Sequence, residues 1–95
     1  MKEKLLDINK WTQVENDWCG LYRYVIAPKC AYELIIDNWD NSKPIDEAKG
    51  MVCVLGLWLD RKTKTTTLER EWLGKDLTVK ELLQLVVKDY EENMN

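Results

Sequence analysis

The chain contains no histidine, and that absence removes more chemistry than any other feature of its composition. Histidine is the commonest general base near neutral pH, the usual partner of serine and cysteine nucleophiles, and the commonest transition-metal ligand. Phenylalanine is missing too, against five tryptophans and four tyrosines. Every aromatic ring therefore carries a polar tip, the kind of ring enriched at binding surfaces. The three cysteines, Cys19, Cys30 and Cys53, are irregularly spaced and form no Cys-x-x-Cys pair. That spacing argues against a zinc knuckle or a redox dithiol and predicts buried free thiols in a reducing compartment. Gly74-Lys75 lacks the glycine-rich run of a phosphate loop.

No apolar run approaches the roughly 20 residues of a membrane helix. The opening residues Met1-Lys2-Glu3-Lys4-Leu5-Leu6-Asp7 lack the apolar stretch of a signal peptide. A cytoplasmic protein without membrane contact is expected. Basic charge is also scarce: 14 lysines and arginines face 17 carboxylates, for a net charge of −3. A nucleic-acid backbone is bound through clustered cations. The cluster present, Arg61-Lys62-Thr63-Lys64, falls at a predicted hairpin tip, where such residues are ordinarily solvated. No nucleic-acid partner is expected.

What the chain does have is an unbroken apolar run, Met51-Val52-Cys53-Val54-Leu55-Gly56-Leu57-Trp58-Leu59. A strand points alternate side chains to opposite faces of its sheet, so a run of this kind asks for cover on both. One helix covers one face. The second needs the N-terminal segment, a second copy, or a partner.

The helix is the clearest local signal. Thr78 and Glu81 form a capping box, with Leu77 and Leu82 placed for a hydrophobic staple. Val79, Leu82, Leu83, Val86, Val87 and Tyr90 then recur at helical spacing. Before it, strands are predicted at about Cys19–Ala27, Cys30–Asp37, Ala48–Asp60 and Thr65–Leu73. Pro28-Lys29 marks the first turn, Asn38–Pro44 is a loop by composition, Ile45–Ala48 continues as a turn or enters the third strand, and Gly74-Lys75-Asp76 ends the fourth. Leu5, Leu6, Ile8, Trp11 and Val14 suggest a short N-terminal helix over the first ten or so residues. The expected fold is α+β, a single domain over residues 1–95: a four-stranded antiparallel meander, a C-terminal amphipathic helix packed on one face, and a short N-terminal helix.

Two tight hairpins, pairing Ala27 with Cys30 and Asp60 with Thr65, divide the side chains between faces. One face takes Leu21, Val25, Tyr32, Leu34, Ile36, Met51, Cys53, Leu55, Leu57, Leu59, Leu68 and Trp72, and the helix is expected there. The other takes Tyr22, Tyr24, Ile26, Glu33, Ile35, Val52, Val54, Trp58, Thr67, Glu69 and Glu71. A slip of one residue in either hairpin exchanges the faces.

Catalysis has little to stand on. Glu69 and Glu71 share a face of one strand, but acid–base work needs two environments that push two pKa values apart in a cleft. Asp37–Ser42 fails as a calcium loop, with Trp39 at a ligand position and Ser42 where glycine belongs. No enzyme activity, cofactor or metal is expected.

The sequence thus predicts a non-enzymatic small protein-binding module, inhibitor- or immunity-like in size and charge. Tyr22, Tyr24 and Trp58 would supply apolar contact to a basic protein surface, with Glu33, Glu69 and Glu71 steering it. The alternatives are a structural homodimer burying the same face and a binder of a small planar ligand.

Overall fold

A computed structural model describes residues 2–14, 20–27, 29–37, 44–60 and 62–93, excepting the side chains of residues 37, 57–60, 66 and 93. Helix α1 (Lys2–Leu6) leads through a 3-10 turn (Ile8–Lys10) into a three-residue strand, β1 (Thr12–Val14). Strands β2 (Gly20–Ala27) and β3 (Cys30–Asp37) follow, then a 3-10 turn at Ile45–Glu47. Strands β4 (Lys49–Asp60) and β5 (Thr65–Thr78) lead directly into helix α2 (Val79–Asn93). The strands form one antiparallel sheet in chain order, β1 to β5. The expected α+β meander with its two helices is therefore present. The sheet has five strands rather than four because Thr12–Val14 pairs with Leu21–Arg23. Three residues are too few for periodicity to announce a strand.

The capping box at the start of α2 is formed. The Glu81 backbone N–H donates to Thr78 Oγ1 at 3.3 Å, and the Thr78 N–H donates to Glu81 Oε1 at 3.3 Å. The Thr78 hydroxyl also donates to that carboxylate at 2.9 Å. These bonds hold the Glu81 carboxyl below its ordinary pKa. The first-turn N–H of Val79 donates to the Ala48 carbonyl at 2.8 Å, tying the helix start to the entry of β4. Val79, Leu82, Leu83, Val86 and Val87 are buried, as their spacing requires.

Bulges set the geometry of the sheet. Val25 pairs with Ala31 and Ala27 with Cys30, leaving Ile26 as an extra residue in β2. Leu73 and Asp76 are likewise extra in β5, between the pairs Cys53–Trp72 and Val52–Gly74 and between Met51–Lys75 and Gly50–Leu77. The fourteen residues of β5 thus match the twelve of β4. Asp76 accommodates its bulge with φ of 58°, in the left-handed region that aspartate tolerates better than most residues. Strand β5 does not end at Gly74-Lys75-Asp76; it continues to Thr78. Gly74 clears space instead: a Cβ there would lie 2.6 Å from Leu85 Cδ1 and 3.3 Å from Leu82 Cδ2, both on α2. Gly50 is tighter still, since its Cβ would lie 2.0 Å from the Ile35 carbonyl oxygen.

Both flanking layers lie on one side of the sheet. Helix α2 packs against α1, β3, β4 and β5. The common core unites Leu5, Ile8 and Trp11 with Tyr22, Tyr32, Leu34, Ile36, Val52 and the helix residues Val79, Leu82, Leu83 and Val86. The Trp11 indole N–H donates to the Leu5 carbonyl at 3.1 Å, and its ring meets Tyr24 edge-on at 5.8 Å. No described helix or strand covers the opposite face.

Candidate functional site

The bulge at Ile26 decides which residues share each face of the sheet. Without it Val25 would oppose Tyr32; with it Tyr24 opposes Tyr32 and Arg23 opposes Glu33. One extra residue moves every β3 side chain to the other face. The expected grouping of β2, β4 and β5 is found, but β3 is exchanged. Tyr32, Leu34 and Ile36 join Tyr22, Tyr24, Val52 and Val54, while Glu33 and Ile35 join Leu21, Met51 and Cys53. The helix packs on the first set, not on the Met51–Leu55 side where the sequence pattern put it.

This rearrangement removes Glu33 from the expected acidic, aromatic docking face, while Tyr22, Tyr24, Glu69 and Glu71 stay on one side of the sheet, the side on which α2 packs. Tyr22 is buried in the core, and Tyr24 packs against that core with its ring on Trp11. Glu33 lies on the opposite face, is only 4% exposed, and has both oxygens engaged by arginines. Glu69 and Glu71 are exposed and register with Gly56 and Val54. Trp58 pairs in β4 with Thr67, and its side chain lies outside the described residues. So do the predicted loop Asn38–Ser42 with Lys43, the turn residue Pro28, and Cys19.

The uncovered face has its own organisation. At its centre Arg23 donates to Glu33 Oε2 through Nε at 3.0 Å and Nη2 at 2.5 Å. Arg70 approaches Glu33 Oε1 at 3.5 Å. Arg70 also stands 5.3 Å from the centre of the Trp72 ring, and Lys75 Nζ stands 5.0 Å from it. Cys53, in register between Glu33 and Trp72, is fully buried. Among the described residues of the β4 run, Val52 is therefore buried on one face and Cys53 and Leu55 on the other. On one side the cover is a helix; on the other it is a polar cluster of long side chains from neighbouring strands, whose stems screen apolar surface while their heads stay wet.

Beyond that cluster lies a shallow apolar dish formed by Val25, Ala27, Ala31, Leu55 and Leu68, with Arg23 and Lys29 at its rim. Val25 is 63% exposed and Leu68 is 56% exposed. A second, more polar groove shares Arg23 and Val25 with the dish and adds Lys4, Lys10, Thr12 and Tyr24. The sequence pattern expects Val25 and Leu68 beneath the helix; the structure puts them on the opposite face.

Burial pushes the Cys53 thiol up, and burial together with the nearby Asp89 carboxylate pushes up the Cys30 thiol. The Tyr32 hydroxyl, buried and donating to Asp89 Oδ2 at 2.8 Å, is held protonated well above its ordinary range. Among the described residues no three cysteines or carboxylates converge as metal ligands, and no helix is long and apolar enough to cross a membrane. No family model, curated protein or solved structure matches the chain.

Proposed function

We propose that this chain is a non-enzymatic protein-binding module that docks its partner on the sheet face opposite α2. The observation that carries the reading is the exposure of Val25 and Leu68, at 63% and 56%, across an apolar dish that no described element covers. Large apolar side chains gathered in one exposed patch mark interaction sites more often than chance surface. The polar centre supports the same role. An arginine–glutamate–arginine cluster with its hydrogen bonds made is held in place before a partner arrives, so less ordering is left for binding.

The same observations weigh against the alternatives. Two copies of a face bearing Arg23, Arg70 and Lys75 repel across a two-fold axis, which disfavours a homodimer through this surface. A planar ligand is less well served, since Tyr22 belongs to the core, Tyr24 packs against it with its ring on Trp11, and Trp72 already has two cations beside it. The free thiols of Cys30 and Cys53 suit a reducing, cytoplasmic setting.

The test pairs two surface variants with unchanged thermal stability, Val25→Asp/Leu68→Asp and Glu69→Lys/Glu71→Lys, in quantitative affinity capture from the native lysate. A partner held by the wild type and by the glutamate variant, but lost from the Val25/Leu68 variant, is the expected result. Loss from the glutamate variant alone would return docking to the acidic edge and overturn the reading.

A further inference from the structure

Resting on that docking reading, we infer that the partner presents an acidic peptide segment carrying an apolar anchor side chain. The argument is one of charge. In the register rows of the uncovered face, the described side chains include four cations, Arg23, Lys49, Arg70 and Lys75, and one carboxylate, Glu33. That carboxylate is buried beneath two of the arginines. Lys4, Lys10 and Lys29 add cations at the margin of the same two depressions. The whole chain is nonetheless acidic, at −3, so the positive field is concentrated here.

Chemistry and shape agree on the occupant. The dish takes one branched apolar side chain among Val25, Leu55 and Leu68, while the groove beside it lines up Lys4, Lys10 and Arg23 for carboxylates a few residues along the same segment. Opposite potentials steer such an encounter and fix its register, and the desolvated apolar anchor supplies affinity. A nucleic-acid strand fits less well. Its bases need open aromatic platforms, and of the described rings Trp72 is flanked by Arg70 and Lys75 while Tyr24, in the groove, is packed edge-on against Trp11.

The experiment titrates the full chain with three short fluorescein-labelled peptides and an oligo-thymidylate strand, followed by fluorescence anisotropy and by backbone amide shifts. The first peptide carries glutamates around a single leucine. The second has lysines in place of the glutamates, and the third has serine in place of the leucine. The acidic leucine peptide is expected to bind with shifts at Arg23, Val25, Ala31 and Leu68, and to weaken with added salt. Lys4→Glu/Lys10→Glu, two exposed positions, should weaken it by about tenfold or more. The serine peptide should bind more weakly than the leucine one.

Tighter binding of the lysine peptide at Val25 and Leu68 would overturn the acidic-partner inference while leaving the docking face intact. Oligo-thymidylate binding at those residues more tightly than the acidic peptide would overturn it in favour of nucleic acid. Shifts confined to another face, or none with any ligand, would overturn the inference together with the docking reading beneath it.

Discussion

Two rows of residues cross β2, β3 and β4 one position apart and meet opposite fates. Tyr22, Leu34 and Val52, with Gly74 of β5, form a row roofed by α2 and the N-terminal segment. Arg23, Glu33 and Cys53, with Trp72, form a row that faces outward and is closed by ion pairs and cation–π contacts. In the first row burial is won by apolar packing against a second layer. In the second, Cys53 is buried just as completely with no helix or strand layered over it among the described residues. An apolar strand position can thus be buried without being sandwiched, provided its neighbours carry side chains long enough to close over it.

The sharpest way to break this contrast is to attack the pairing that creates it. Gly50→Ala forces a Cβ to within 2.0 Å of the Ile35 carbonyl oxygen, which no rotamer change can relieve. It should cost about 4 kcal/mol or prevent folding, as judged by the urea midpoint and the amide spectrum. Gly74→Ala, whose nearest contacts are flexible leucine tips, should cost distinctly less. Leu34→Ala removes a fully buried side chain from the roofed row and should cost about 2–5 kcal/mol in the same denaturation.

On the outward row, Glu33→Gln should cost about 1–2 kcal/mol. That is below the usual cost of breaking a buried ion pair, because Arg23 and Arg70 are 44% and 42% exposed and can turn to water. Thr78→Ala, which removes the helix cap, should cost about 1 kcal/mol. Glu81 adds a pH dependence to that cap. Its carboxyl is held below the ordinary 4.5 by Thr78; its contribution is complete above that value and is lost as pH falls through the lowered folded value. Glu81→Gln should flatten that acid limb in midpoints measured against pH. Leu68→Ala, on the exposed dish, should change stability by less than about 0.5 kcal/mol. A large loss there would mean that the dish is core.

How much of this was legible in the sequence varies by element. The α2 helix was fully so, because a capping box and a 3.6-residue stripe are local signals that packing does not overturn. Both hairpin ends were legible too, with Ala27 opposite Cys30 and Asp60 opposite Thr65. The faces were not, because a bulge leaves the hairpin end unchanged and reverses everything beyond it. Ile26, Leu73 and Asp76 carry no residue-type mark distinguishing them from ordinary strand positions, apart from the aspartate's tolerance of positive φ. Gly74 looked like a strand end when its purpose is clearance beneath Leu85. The candidate site follows the faces: the pattern groups Glu33 with Tyr22 and Tyr24, whereas in the fold it lies on the opposite side and pairs with Arg23 and Arg70.

Methyl relaxation by a soluble gadolinium chelate reports the two faces in the unmodified protein and needs no partner. Strong enhancement at the Val25 and Leu68 methyls, with little at those of Leu34, Val52 and Leu82, is the predicted pattern. Protected Val25 and Leu68 methyls beside accessible Leu34 and Val52 would reverse the faces and contradict the account.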